Sequence, residues 1–188
     1  VVFLGTSLTA GYGVGAEAAW PALLQARIDS AGLAFQVVNA GVSGETSAGA
    51  VRRLDWVLQQ GTPAVFVLET GANDGLRGQD VDSLRANLET IIARVRALEP
   101  TPRILLTGME ALPNLGPEYA ARFREVYADV ARRTGVAFLP FLLEGVGGVE
   151  ALNQEDGIHP NRAGQARVAA HVWPALRPLL EAAAAGAR

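Results

Sequence analysis

"VVFLGTSLTAGYG" (residues 1–13) passes from an apolar, β-branched run straight into glycines and hydroxyl residues. The first five residues predict a strand that is buried on both faces, because the apolar run does not alternate with polar residues. In open α/β sheets, functional side chains gather just beyond the carboxyl ends of such strands. Ser7 therefore fits either a nucleophile at a strand end or an ordinary helix cap. The residues that follow the other predicted strands distinguish the two interpretations.

The same strand pattern returns four more times, each time separated from the next by a helical pattern. The predicted strands are "VVFLG" (1–5), "FQVVN" (35–39), "AVFVLE" (64–69), "RILLT" (103–107) and "VAFLP" (136–140). The predicted helices cover 17–31, 46–60, 80–98, 118–134 and 161–181. This alternation predicts a doubly wound α/β fold with a parallel sheet and helices on both faces. No linker or repeat interrupts it, so a single domain over residues 1–188 is expected.

Composition removes several classes of function. The net charge is −3 and the basic residues are scattered, so no nucleic-acid partner is expected. No apolar run approaches 18 residues, so no stable membrane insertion is expected. The chain has no Cys and no Lys, which excludes thiol catalysis and a lysine Schiff base. With only two His, a site built on several histidines is impossible.

Five residues that could take part in catalysis follow the predicted strands. Ser7 follows the first strand, Gly44 lies in "AGVSGETS" after the second, and Asn73 lies in "TGANDG" after the third. The fifth strand leads through a long loop to "EDGIHPN", which holds Asp156 and His159. Because the carboxyl ends of parallel strands meet at one edge, these residues are expected to share one rim of the sheet.

This set of residues matches the requirements of acyl transfer. A serine hydroxyl such as that of Ser7 is a weak nucleophile and needs a base within hydrogen-bond reach. His159 supplies an imidazole, and Asp156 can fix its tautomer from three residues away. The backbone N–H groups of Ser7 and Gly44 and the side-chain amide of Asn73 can serve as oxyanion donors.

Other polar and apolar positions have plainer interpretations. His171 lies in a helical apolar pattern, which favours a structural or surface role. The predicted loops also carry apolar residues that fit either core packing or an acyl pocket near the rim: Leu76, Met109, Leu112 and Leu115. "GTSLTAGYG" lacks both a lysine and the G-x-G-x-x-G spacing, so nucleotide binding is poorly supported.

Four stretches together resemble the four sequence blocks of the SGNH hydrolases, also called GDSL esterases. They are "GTSLTAGYG", "SGET" after "NAGV", "GAND" and "DGIHPN", and they occur in the order of the family. "GANDGLRG" and "GMEALPNLG" further resemble the bacterial arylesterase, thioesterase and lysophospholipase branch. The resemblance extends from the first predicted strand to the last predicted helix.

The resemblance implies a flavodoxin-like three-layer α/β/α sandwich with a five-stranded parallel sheet. It implies Ser7 as nucleophile, Gly44 and Asn73 as oxyanion donors, His159 as general base and Asp156 as its orienting partner. It implies a small-molecule substrate, a carboxyl ester or thioester of an acyl chain or aryl alcohol, with no metal or other cofactor. Members of this branch are often exported from the cytoplasm.

One position departs from the family pattern. The first block usually reads Gly-Asp-Ser-Leu, and this chain has Thr6 in place of the aspartate. A threonine hydroxyl can accept one backbone N–H bond, more weakly than a carboxylate, so a less rigid turn is expected. Three alternatives stay open: a family member of weakened activity, a carbohydrate O-deacetylase on the same fold, and a non-catalytic module that binds an anion or nucleotide.

Overall fold

The computed structural model describes residues 1–186, and its strands form one parallel sheet in the order β2-β1-β3-β4-β5. The strands are β1 (Val2–Gly5), β2 (Val38–Gly41), β3 (Val65–Glu69), β4 (Arg103–Thr107) and β5 (Ala137–Leu139). The chain adds β2 on one side of β1 and the other strands on the opposite side, so the strand order reverses at β1. The predicted five-stranded parallel sheet is confirmed.

Seven α-helices are found in residues 1–186 and cover the sheet. They are α1 (Ser7–Ala10), α2 (Trp20–Ser30), α3 (Ser47–Leu58), α4 (Ala72–Leu76), α5 (Val81–Arg96), α6 (Pro117–Thr134) and α7 (Arg162–Gly186). Helix α2 packs against α7, and α5 packs between α3 and α6. The helices therefore form two layers around the sheet, as predicted. None of these helices has the length and apolar character that crossing a bilayer requires.

The core lies between the sheet and these helices. Every residue of β3 is fully buried, as the continuous apolar run predicted. The apolar stripe predicted for α5 is buried from Val81 to Val95, whereas Leu98 lies beyond the helix and is half-buried. On α6, Phe123, Val126, Tyr127 and Val130 are buried as predicted, and Tyr119 stays near the surface.

The second strand differs most from the prediction. It begins at Val38 rather than at residue 35, and it lies partly exposed at the edge of the sheet. The reason is Gln25 on α2, whose side chain accepts from the Val37 N–H and donates to the Phe35 carbonyl. These bonds take up backbone groups that a longer strand would have paired.

The helix ends differ less. Helix α2 begins at Trp20 rather than at residue 17, because residues 16–18 form a separate 3₁₀ turn. Helix α7 runs to Gly186, past the predicted end at residue 181. The last two residues of the predicted domain, 187 and 188, lie outside the described residues.

Candidate active site

Ser7 lies where β1 turns into a single helical turn. Thr6 caps α1, although the bond from the Leu8 N–H to its hydroxyl is long at 3.4 Å. The turn ends at Gly11, whose φ of 76° lies in the left-handed region that favours glycine. Ser7 itself is nearly buried, and its Oγ lies 2.8 Å from Nε2 of His159.

Asp156 continues this chain of contacts on the other side of the imidazole. Its Oδ2 lies 2.6 Å from Nδ1 of His159. Its Oδ1 accepts the backbone N–H groups of Ile158 and His159, at 2.9 and 3.0 Å. The backbone N–H of His159, followed by its ring, lowers the pKa of Asp156 to about 2. The carboxylate is therefore charged at neutral pH and faces the ring nitrogen that does not face Ser7.

Gln154 holds the loop that carries the histidine. Its N–H donates to the His159 carbonyl at 2.8 Å, and its side-chain amide donates to the carbonyls of Tyr12 and Pro160. The Tyr12 ring lies against the His159 ring, with 4.6 Å between centroids. The loop after β5 is thereby attached to the segment after α1. The sequence gives no signal for Gln154, because its role depends on a contact 142 residues away.

Gly44 and Asn73 line the same pocket as Ser7 and His159. One N–H of the Asn73 amide donates to the Glu45 carbonyl at 3.0 Å. Because a side-chain amide carries two N–H groups, the second is not used by that bond. The φ of Gly44 is 76°, so the loop requires a left-handed conformation at this position.

Arg53 on α3 fixes the loop that contains Gly44. Its guanidinium binds both carboxylate oxygens of Glu45 at 2.7 to 2.9 Å. It also donates to the Gly5 carbonyl at the end of β1 and to the Ala40 carbonyl in β2. The loop after β2 is thus attached to the same strand end that leads to Ser7.

Asp74 fixes the neighbouring loop in a similar way. Its carboxylate, almost fully buried, accepts the N–H and the hydroxyl of Ser47 at 2.8 and 2.5 Å. Asn87 donates to the same hydroxyl. Because Asp74 follows Asn73 directly, these bonds connect the Asn73 backbone to the start of α3 and to α5.

Glu69 is a fully buried carboxyl group at the end of β3, for which the sequence gives no signal beyond its place in an apolar run. It accepts the Thr6 N–H at 2.7 Å, the Thr6 hydroxyl at 3.0 Å and the Thr9 hydroxyl at 2.8 Å. Burial raises the pKa of Glu69, and the bonds from the two threonines oppose this shift. The Thr6 hydroxyl thus donates to Glu69 in addition to accepting the Leu8 N–H, the weak acceptor role predicted for it.

The pocket beside Ser7 has a volume of about 430 Å³ and a largely apolar wall. Of the four apolar residues considered above, Leu76, Met109 and Leu112 line it and Leu115 does not. Phe141 also lines it, and Nε2 of His171 lies 2.9 Å from the Phe141 carbonyl, which fits the structural role predicted for that histidine. Residues 1–186 contain no cluster of three or more potential metal ligands.

Comparisons with known proteins agree over nearly the whole chain. Residues 3–167 match the model of the GDSL-like Lipase/Acylhydrolase family. The chain is 44% identical over 180 residues to "Esterase TesA" of Pseudomonas aeruginosa, which spans 96% of this chain and 89% of that protein. It is 38% identical over 180 residues to "Thioesterase 1/protease 1/lysophospholipase L1" of Escherichia coli K12, spanning 96% and 84% respectively.

A solved structure extends the similarity to three dimensions. The psychrotrophic esterase EstA from Pseudoalteromonas sp., inhibited by monoethylphosphonate, gives a TM-score of 0.89 at 33% identity. The match covers 96% of this chain and 97% of that one. The likeness therefore extends over nearly the whole fold.

Proposed function

This chain belongs to the GDSL-like lipase/acylhydrolase family, and from that premise we propose that it works through Ser7, His159 and Asp156. It is a serine hydrolase of carboxylic esters, as its relatives indicate. The observation that best supports the residue roles is the continuous contact from Ser7 Oγ through the imidazole to the Asp156 carboxylate. We further propose that residues 1–188 act as one domain, since all five strands join one sheet.

In the first step, the Ser7 hydroxyl attacks the ester carbonyl carbon while Nε2 of His159 takes the hydroxyl proton. The charge of Asp156 stabilises the imidazolium that forms and keeps Nδ1 protonated. The Ser7 and Gly44 N–H groups and the second N–H of Asn73 surround the developing oxyanion. Each such donor lowers the barrier by about 2.7–4 kcal/mol.

In the second step, the tetrahedral intermediate collapses as His159 gives its proton to the leaving alcohol or thiol. The acyl group then remains on Ser7 Oγ. A water molecule attacks this acyl-enzyme, with His159 again accepting the proton. Collapse of the second intermediate releases the carboxylic acid and restores the Ser7 hydroxyl.

The apolar wall of the pocket favours acyl chains or aryl groups over acetylated sugars. Met109 and Leu112 offer apolar surface and few groups that could bind sugar hydroxyls. The esterase and thioesterase names of the relatives point in the same direction. We therefore propose esters and thioesters of medium acyl chains as substrates, and carbohydrate O-deacetylation as the weaker alternative.

A series of p-nitrophenyl esters of increasing acyl length tests this preference. We expect kcat/KM to rise about fourfold per added methylene until the pocket is filled, because burying one CH₂ contributes about 0.8 kcal/mol. Leu112→Ser should flatten this rise, since Leu112 lines the pocket. The matched control is Leu115→Ser, a similarly exposed leucine of the same loop that lies outside the lining.

The parent enzyme is also compared on acetylated sugars and on acyl thioesters of the same lengths. A rate that is flat or falls with acyl length, together with faster turnover of acetylated sugars, would favour the deacetylase. Equal effects of the two leucine substitutions would remove Leu112 from the acyl site.

A further inference from the structure

We propose that Glu69 is a positioning residue for the nucleophile, acting through Thr6 and Thr9 on the turn that carries Ser7. This inference rests on the proposed role of Ser7. Glu69 does not face the pocket and none of its bonds reaches the reacting atoms. Its effect on catalysis has to pass through the backbone on either side of the serine.

The contacts lie on both sides of Ser7. Before it, Glu69 Oε2 accepts the Thr6 N–H at 2.7 Å, and the Thr6 hydroxyl reaches both carboxylate oxygens at 3.0 Å. After it, the Thr9 hydroxyl donates to Oε2 at 2.8 Å. The start of α1 is thus attached to the central strand β3 at two points three residues apart, and Ser7 lies between them.

Gly5 shows how closely these groups are packed. A Cβ atom at this position would lie 2.1 Å from Oγ1 of Thr9 and 2.7 Å from Oε2 of Glu69. All three side chains, those of Thr6, Thr9 and Glu69, are fully buried. The backbone just before Ser7 is therefore packed directly against the Thr9 and Glu69 side chains.

Burying a carboxyl group costs free energy, which is offset only where its oxygens are hydrogen-bonded. An apolar side chain in place of Glu69 would leave the Thr6 N–H and the hydroxyls of Thr6 and Thr9 without this acceptor. What the carboxyl group of Glu69 offers is two oxygens that together bind three donors, the Thr6 N–H and the hydroxyls of Thr6 and Thr9. At a nucleophile this matters, because a misplacement of about 1 Å can lower the rate about 100-fold.

The same geometry explains how a threonine can occupy position 6. A threonine hydroxyl is a neutral donor, and Glu69 offers acceptors to it. An ionised aspartate at position 6, the residue the family usually has there, donates no hydrogen bond. The threonine thus suits a buried glutamate as its neighbour and need not indicate a weakened enzyme.

The test compares Glu69→Gln with the pair Thr6→Val and Thr6→Ser on a short p-nitrophenyl ester. Glutamine keeps the shape but replaces one acceptor oxygen by a donor, and valine removes the Thr6 hydroxyl at constant shape. We expect kcat per active site to fall about 10- to 100-fold in Glu69→Gln and Thr6→Val. KM should change less than about twofold, because the acyl pocket is untouched, and Thr6→Ser should restore most of kcat.

Two further readouts separate positioning from stability. Active sites are counted by phosphonylation of Ser7, whose rate should fall in parallel with kcat. The melting temperature of each variant is measured in parallel, and each should stay folded at the assay temperature, so that the loss of kcat is not a loss of folded protein. For Glu69→Gln two effects oppose each other: glutamine removes the cost of a buried carboxyl, and it leaves the buried donors with one acceptor fewer. The control variants are Glu181→Gln and Thr90→Val, substitutions of the same kinds on helices outside this cluster. They should have the kcat and the phosphonylation rate of the parent enzyme.

The proposal is overturned if Glu69→Gln keeps the parent kcat per titrated site, or if only KM changes. It is also overturned if Thr6→Val and Thr6→Ser have equal kcat. Should Glu69→Gln fail to fold, the Thr6 pair still decides, because it leaves the carboxyl in place. A parent enzyme that the phosphonate does not label at Ser7 would instead contradict the proposed function.

Discussion

Ser7→Ala is expected to lower kcat for a short p-nitrophenyl ester by on the order of 10⁶-fold, the loss typical of removing a serine nucleophile. The cause is that His159 then has no hydroxyl to deprotonate, and no acyl-enzyme can form. The proposed oxyanion donors and the apolar pocket remain in this variant, so a residual rate above that of water is expected. The measurement is the initial rate of p-nitrophenol release. A second, independent preparation of the variant shows how much of that rate comes from contaminating esterase.

The same variant gives a covalent readout. A reactive phosphonate should label the parent protein once, at Ser7, and should leave Ser7→Ala unlabelled. Ser30→Ala is the matched control, because the Ser30 hydroxyl is exposed and donates only to a carbonyl of its own helix. Near-parental turnover by Ser7→Ala, or its labelling at another serine, would contradict the assignment of the nucleophile.

Asp156→Asn is expected to lower kcat by about 10⁴-fold with little effect on the fold. An asparagine Oδ1 can still accept the N–H groups of Ile158 and His159 that hold the loop. Its amide, however, presents a donor to Nδ1 of His159. The imidazole then carries its proton on Nε2, and that nitrogen can no longer accept the Ser7 proton.

The Asp156→Asn substitution should affect only the chemical steps, and neither substrate binding nor the stability of the fold. Melting temperature and KM should stay near the parent values, and Asp29→Asn, a change to a surface carboxylate, should have no effect on rate. A loss below about tenfold would show that the charge of Asp156 contributes little. A large fall in melting temperature would show instead that its bonds to the loop dominate.

The sequence predicts the sheet well because four of its five strands consist mainly of consecutive apolar residues. For the same reason the polar candidate residues are easy to recognise. Ser7, Asn73 and His159 each lie in the segment that follows one of these apolar runs. The parallel topology then brings them to one edge, and the structure places them around one pocket. Local pattern and simple topology were sufficient for this part.

The supporting residues could not be predicted, because each acts on a distant segment. Arg53 reaches Gly5 across 48 positions, and Glu69 reaches Thr6 across 63. Neither contact leaves a periodicity or motif in the chain. The late start of β2 has the same origin, since it depends on one glutamine of a neighbouring helix.

The bond between Ser7 and His159 joins positions 152 residues apart, and this has a consequence for the newly made protein. During synthesis the proposed nucleophile Ser7 and the proposed oxyanion donors Gly44 and Asn73 emerge within the first half of the chain. The proposed base, His159, arrives only after β5, on the last loop before α7. Because domains tend to fold as units while synthesis proceeds from the N-terminus, a chain that ends before His159 is expected to lack esterase activity, and the onset of activity is expected to mark the docking of the final segment.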